Sequence, residues 1–370
     1  MDKIYDLAII GSGIAGSMVA FWSKKLDKDI VVLDKSKVPA SGGSGAAGAF
    51  IAPKLGKNSP LTKLTNDAFK FSTNFYVNYF KDYFTQSGMI RFAKDEDDIK
   101  NLNRYLDTIG EGELIDANRL KELGVIGQEI GLYFSKGGVC DAISICKDAL
   151  DRVDYVNVEV KDIIDCQDYY LIEDKIKAKI VVFATGYEGF RGFEYMGISG
   201  LWGSRGDYYS LDSIKSCMHK SVSVSSNIDG VIKIGATINR DKNPCISCNR
   251  DLLSNLELKA KEIANIDNIE LKEIFCGYRA NSRDYFPIVG RVIDADIMIQ
   301  KYPQIKKGYK KAPLMYKKDW YILNGLGSRG YVFAPYLAKN LVDFIFNGSK
   351  LIDVVNSDRL FLKWVRRLNT

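Results

Sequence analysis

Three short apolar runs in this chain each close on a turn of small residues. Leu7-Ala8-Ile9-Ile10 meets Gly11-Ser12-Gly13-Ile14-Ala15-Gly16; Ile180-Val181-Val182-Phe183 meets Ala184-Thr185-Gly186; Trp320-Tyr321-Ile322-Leu323 meets Asn324-Gly325-Leu326-Gly327-Ser328-Arg329-Gly330. Runs of this length without alternation predict strands buried on both faces, as in a parallel sheet. The first is followed by a helical segment (Ser17 to Leu26) and a further apolar run, Ile30 to Leu33, that ends on Asp34. The last leads into a helix from Tyr331 to Phe346. Leu61 to Phe84 reads as one long amphipathic helix, with Leu64, Phe69, Phe75 and Phe80 toward a core. Gly88 to Ala93 reads as a strand, Asp95 to Ile109 as a polar helix, and Asp141 as the cap of a helix over Ala142 to Asp151. From Leu201 to Ile238 the apolar runs become short and alternate with Gly and Ser, which predicts antiparallel sheet. The expected fold class is α/β, α+β overall.

The opening pattern carries chemistry as well as structure. Gly11 allows the sharp turn, Gly13 lets backbone approach a pyrophosphate, and Gly16 lets helix and strand pack closely. The helix N-terminus offers unpaired N–H groups and partial positive charge to phosphates. Asp34 stands where a carboxylate can accept from ribose hydroxyls. A bare glycine turn explains neither the three glycines in register nor that acid. The pattern predicts a Rossmann-like dinucleotide domain over residues 1–85, 132–190 and 318–370. A mainly antiparallel substrate domain is expected over 86–131 and 191–317. The small-residue loop around Gly45 is expected to lie against a flat, rigid group, and a second helix N-terminus follows the Gly325 to Gly330 turn.

Composition narrows the chemistry. With 52 basic and 46 acidic residues the net charge of +6 permits an anionic partner without requiring one. No apolar run approaches bilayer length, and the first strand begins too early for a signal peptide, so a cytoplasmic location is expected, with no membrane partner. Seven cysteines without a secretory signal are expected to be reduced thiols, with Cys245-Ile246-Ser247-Cys248 read as a loop rather than a metal site. The one histidine, His219, lies in a charged segment and is expected at the surface. Histidine-based catalysis is disfavoured.

The set GSGIAG with Asp34, Ser44-Gly45, Ala184-Thr185-Gly186, Gly277-x-Arg279 through Asp284-x-x-Pro287-x-x-Gly290, and Gly325-x-Gly327 resembles the FAD-dependent D-amino-acid oxidase family, which includes glycine and sarcosine oxidases. The resemblance implies FAD as the dinucleotide. Its implied contacts are Gly11, Ser12, Gly13, Ile14, Ala15, Gly16, Asp34, Lys35, Ser44, Gly45, Ala46, Ala47, Gly48, Ala184, Thr185, Gly186, Gly325, Gly327, Ser328, Arg329 and Gly330. Ala46-Ala47 departs from relatives, which usually carry a larger polar residue there. Cys276 to Arg279, Ser282 to Asp284, Leu326 to Gly330, Ala334-Pro335 and the basic tail resemble a bacterial branch of the family that modifies the wobble uridine of tRNA.

That branch implies oxidative removal of the carboxymethyl group of 5-carboxymethylaminomethyl-(2-thio)uridine, giving 5-aminomethyl-(2-thio)uridine and glyoxylate. The partner is then tRNA rather than DNA, and a separate SAM-dependent methyltransferase is expected to act on the product. Arg279 matches the family's carboxylate-binding arginine, with Arg283 and Arg329 as further catalytic candidates or, alternatively, structural ion-pair partners. The lysines around Tyr309, with Lys317, Lys318, Arg359, Lys363, Arg366 and Arg367, are candidates for phosphate contact. A small-molecule glycine or sarcosine oxidase and a non-catalytic flavin-binding module remain alternatives.

Overall fold

The structure is a computed structural model, and it describes residues 3–93, 95–239 and 248–369. Two eight-stranded sheets dominate it. In the first, Ile4–Ile10 lies between Ile30–Asp34 and Ile176–Phe183, parallel to both. Asp154–Asn157 extends the sheet beyond Ile30–Asp34, and Tyr316–Asn324 lies parallel to Ile176–Phe183. The register sets Ile10 opposite both Leu33 and Phe183, so three strands end together and present Gly11, Asp34 and Ala184 along one edge.

The apolar runs follow from two cores. Leu7, Ile9 and Val32 belong to one, and Ala8, Ile10, Val31 and Leu33 to the other. A strand covered on both faces has no polar side to show. Helices Ile14–Lys24, Pro60–Tyr79 and Gly330–Asn347 pack together over the first of these cores. The long helix ends five residues earlier than its hydrophobic pattern suggests. Phe80 leaves helical geometry and a 3₁₀ turn, Lys81–Tyr83, follows, although Phe80 and Phe84 stay buried. The stretch 95–109 divides at Lys100 and Asn101 into Glu96–Ile99 and Leu102–Ile109. Asp141 caps its helix as expected, Oδ1 accepting from Ile143 N–H and Ser144 N–H at 3.1 Å.

The second sheet runs from Ile269–Asn281 through Ser199–Ser210, Val231–Gly235, Ser223–Val224, Cys217–His219, Met89–Arg91 and Ile130–Phe134 to Glu113–Asp116. It is antiparallel except where Cys217–His219 meets Met89–Arg91. Its longest pairing sets Leu201 opposite Arg279 and Gly203 opposite Gly277. Ile288–Ile293, which lies within 191–317, joins the first sheet by pairing with Tyr316–Asn324. Ile130–Phe134 joins the second. A bridge between Asn281 and Leu326 links the end of the long strand to the last glycine turn.

One expectation about cysteine is overturned. Cys248 and Cys276 form a disulfide, while Cys140, Cys146, Cys166 and Cys217 are free. The pairing joins positions 28 residues apart in sequence, so spacing could not reveal it. Cys245 lies outside the described residues. No described helix is long and apolar enough to cross a membrane.

Candidate functional site

The opening turn is built by close backbone approach. Gly11 has φ +106°, and a Cβ there would lie 2.4 Å from the Ala184 carbonyl oxygen; one on Gly16 would lie 1.9 Å from that of Gly11. No side chain caps the Ile14–Lys24 helix, whose N-cap is Gly13, and its first turn holds no acid. Its first helical bond is Ser17 N–H to the Gly13 carbonyl, so the N–H groups before it, Ile14's excepted, keep their donor capacity for a ligand. Ser44 Oγ accepts from Ile14 N–H at 2.9 Å and ties the loop to the helix. Asp34 braces the turn: Oδ2 accepts from Ser12 N–H and Ser12 Oγ–H at 2.7 Å, and Oδ1 from Ser36 N–H at 2.8 Å. Lys35, next to Asp34 in the chain, pairs with Glu188, and both line the cleft.

The loop of small residues packs on one side against the second sheet. A Cβ on Gly43 would come within 2.1 Å of the Tyr278 carbonyl oxygen, and one on Gly277 within 3.0 Å of Ala46 Cβ. Arg205, buried and paired with Asp207, donates from Nε to the Ala46 carbonyl at 3.1 Å. Tyr331 donates its hydroxyl to the carbonyls of Ala142 (2.8 Å) and Ser44 (3.2 Å).

Between the sheets opens a cavity of about 890 Å³, a size that suits a large cofactor together with a small group. Gly11, Gly13, Ile14, Ala15, Asp34, Lys35, Ser44, Ala46, Ala47, Gly48, Ala184, Thr185, Gly186, Gly327, Ser328, Arg329 and Gly330 all line it. Ser12, Gly16, Gly45 and Gly325 do not. They stand behind the wall: Ser12 holds Asp34, Gly16 packs against Gly11, Gly45 packs against Ala40, and Gly325 turns the chain at φ +68°.

Arg279 and Arg329 reach the cavity, and Arg283 does not. Arg283 is exposed and lines a separate cleft of about 200 Å³ with Asp284, Lys363, Trp364 and Arg367. Arg279 Nη1 donates to the Thr237 carbonyl at 3.1 Å, and no described carboxylate pairs with it. Burial lowers the Arg279 pKa. Its head occupies space left by Gly203, where a Cβ would lie 2.2 Å from Nη1. Arg329 donates to the Ala52 carbonyl at 3.0 Å, and burial pulls its pKa down to about 10.

The sequence reading missed several wall residues. Arg91 ends a strand of otherwise apolar residues; burial, then the nearby Arg329 charge, pulls its pKa down to about 9. A lone cation in Met89-Ile90-Arg91-Phe92-Ala93 was the available signal. His219 is corrected from surface to cavity wall. The parallel pairing of Cys217–His219 with Met89–Arg91 brings it there, and its Nδ1 lies 2.8 Å from Ser223 Oγ. Tyr187 and Tyr278, ring centroids 4.2 Å apart, add aromatic surface.

Among the basic candidates, Arg359 is engaged internally in a two-point pair with Asp284 (2.9 Å each). Lys318 donates to the Gln167 carbonyl and Lys317 lies 3.7 Å from Asp294. Lys307, Lys310, Lys311, Lys363, Arg366 and Arg367 are exposed.

Comparison with known proteins places this geometry. The sequence model of the family FAD dependent oxidoreductase matches residues 6–344. A relative from Marinobacter nauticus, the tRNA 5-methylaminomethyl-2-thiouridine biosynthesis bifunctional protein MnmC, is 25% identical over 92% of this chain and 55% of its own length. Its namesake from Campylobacter fetus is 22% identical over 99% and 61%. The chain thus spans little more than half of the curated relatives it matches. Among solved structures, glycine oxidase from Bacillus cereus superposes with a TM-score of 0.76 at 18% identity, covering 95% of this chain and 97% of that one. L-proline dehydrogenase from P. horikoshii gives 0.73 at 16%, covering 100% and 99%. Iminodiacetate oxidase from Chelativorans gives 0.72 at 15%, covering 93% and 96%. These likenesses establish the fold.

Proposed function

We propose, from the premise that this chain belongs to the FAD dependent oxidoreductase family, that it oxidises the carboxymethylaminomethyl arm of a tRNA wobble uridine. The arm loses its carboxymethyl group as glyoxylate and leaves an aminomethyl group. The C–H bond beside the amine breaks, a C=N bond forms, and water then cleaves it. FAD is the cofactor, and when bound it would supply the acceptor for the hydride, which carries both electrons, while the amine N–H gives up a proton. The cradle fits it: a helix N-terminus without a side-chain cap, three glycines that exclude Cβ atoms, and Asp34 at the ribose position.

The observation that carries the reading is Arg279, a cavity guanidinium without an acid partner among the described residues. A planar fork of donors orients a carboxylate in two directions at once. Thr237 fixes one arm of the fork and Gly203 makes room for the head. Orientation of the CH₂ group beside the amine is the chief demand of such a reaction, since positioning supplies several kcal/mol of barrier reduction. Tyr187 and Tyr278 offer faces for an unstacked base, as sequence-selective RNA recognition requires. The cleft of Arg283, Lys363 and Arg367 beside Trp364 suits phosphate and base outside the cavity.

The names of the MnmC relatives support a tRNA substrate. A cytoplasmic location and a separate methyltransferase acting on the product belong to this reading. Its test is nucleoside mass spectrometry of tRNA incubated with the protein. The reading requires loss of carboxymethylaminomethyluridine, gain of aminomethyluridine, and equimolar glyoxylate. Unchanged tRNA, with glyoxylate formed from free glycine or sarcosine, would assign the chain to small-molecule oxidation.

A further inference from the structure

Two arginines that brace the fold are ion-paired. Buried Arg205 meets Asp207, and Arg359 meets Asp284 at two points. Four arginines line the cavity; Arg191 is exposed, and the three half-buried ones, Arg91, Arg279 and Arg329, form no ion pair among the described residues. Two of them are neighbours: Arg329 Nη1 donates to the Ala52 carbonyl at 3.0 Å, while Arg91 Nη1 lies 3.4 Å from the next carbonyl, Pro53. Arg91 Nε is buried with no partner at all. The carboxylate that acts on Arg91, Asp98, makes no ion pair with it and accepts the Tyr105 hydroxyl. Two like charges close enough to disfavour each other, one with a buried donor unused, are stabilised by an anion between them.

We propose that Arg91 and Arg329 form a second oxyanion subsite in the cavity, which takes a phosphate or carboxylate group of the substrate other than the carboxylate held at Arg279. This rests on the assignment of Arg279 above. The substrate class is an amine with two anionic groups: a nucleotide bearing a carboxymethylamine, or an amino diacid. Two guanidinium forks side by side suit either oxyanion.

The test is calorimetric titration of the FAD-loaded full chain with acetate and with inorganic phosphate as probes. The wild type binds both, and with phosphate saturating its subsite one acetate still binds, at Arg279. Arg91→Met weakens phosphate at least tenfold and leaves that phosphate-insensitive acetate bound; Arg279→Met loses that acetate and leaves phosphate unchanged. Arg91→Lys keeps the charge without the fork, guards against a folding defect, and weakens phosphate at least threefold. Phosphate that displaces every bound acetate from the wild type, or that binds Arg91→Met and Arg91→Lys as it binds the wild type, overturns the proposal.

Two ligand pairs separate the sources. If the group is phosphate, uridine 5′-monophosphate binds more tightly than uridine and loses that advantage in Arg91→Met. If it is a carboxylate, iminodiacetate holds the Arg91-dependent advantage over glycine. Neither advantage depending on Arg91 overturns the subsite. None of these readouts requires turnover, so failure of the chain to process tRNA leaves this test intact.

Discussion

At the scale of single residues, Arg279 and Gly203 act as one device. The strand pairing that sets Gly203 opposite Gly277 brings a position without a side chain beneath the guanidinium. Gly203→Ala would displace the head while leaving the cofactor cradle untouched. The expected result is a KM for the carboxylate-bearing substrate raised about 10- to 100-fold, the scale of one charge-assisted hydrogen bond. FAD affinity should stay within twofold by fluorescence titration. An unchanged KM would remove Gly203 from the site. Arg279 was legible because it sits in a recognisable motif. Gly203 was not, because its role depends on which strand lies beside it. His219 was misread for the same reason, since its neighbour Arg91 is more than a hundred residues away in sequence.

The elements show where pattern suffices and where it stops. The opening strand, helix and second strand follow from runs and glycines because each is shaped locally, by burial on both faces and by a turn that needs φ > 0 at Gly11. Gly16→Ala puts a Cβ into the Gly11 carbonyl. It should cost about 1–3 kcal/mol, as overpacking does, seen as a lower denaturant midpoint in the apoprotein. A stability equal to wild type would mean that the helix can retreat from the strand without loss. Asp141→Ala, which removes the acceptor for two N–H groups, should cost about 1 kcal/mol by the same measurement. Helix ends were less legible. Phe80 continues the apolar stripe of the long helix but is buried from a non-helical position, so hydrophobic periodicity ran past the true end.

Over the whole molecule, two sheets meet at one cavity, and the C-terminal segment helps to hold the seam. Arg359, near the start of the helix Asp358–Val365, grips Asp284 at the end of the motif that carries Arg279. Burial raises the Asp284 pKa, but the hydrogen bonds and charge of Arg359 outweigh it and hold the carboxyl below the usual carboxylate value. A pKa lowered on folding contributes stability that is full above the unfolded value, about 4, and is lost as pH falls through the folded value. Asp284→Asn should therefore lower stability by about 2 kcal/mol at pH 7, between exposed and fully buried pairs. The gap from wild type should shrink as pH falls below about 4 and through the folded carboxyl's lowered value. A gap independent of pH would mean that the loss is one of packing rather than of charge. This tie, the Cys248–Cys276 disulfide and the second anion subsite all join residues far apart in sequence. The composition permitted them, but only the sheet order brings them together.

The account's central claim is that Arg279 seats the carboxylate arm of a tRNA nucleotide for oxidation. It is tested most directly by anaerobic rapid mixing of the yellow FAD-loaded protein with tRNA carrying carboxymethylaminomethyluridine, and separately with glycine and sarcosine. The account predicts bleaching of flavin absorbance by the modified tRNA, none by the free amino acids at equal concentration, and loss of the tRNA response in Arg279→Met with FAD still bound. Bleaching by glycine or sarcosine with none by tRNA, or a tRNA response that survives Arg279→Met, would contradict it.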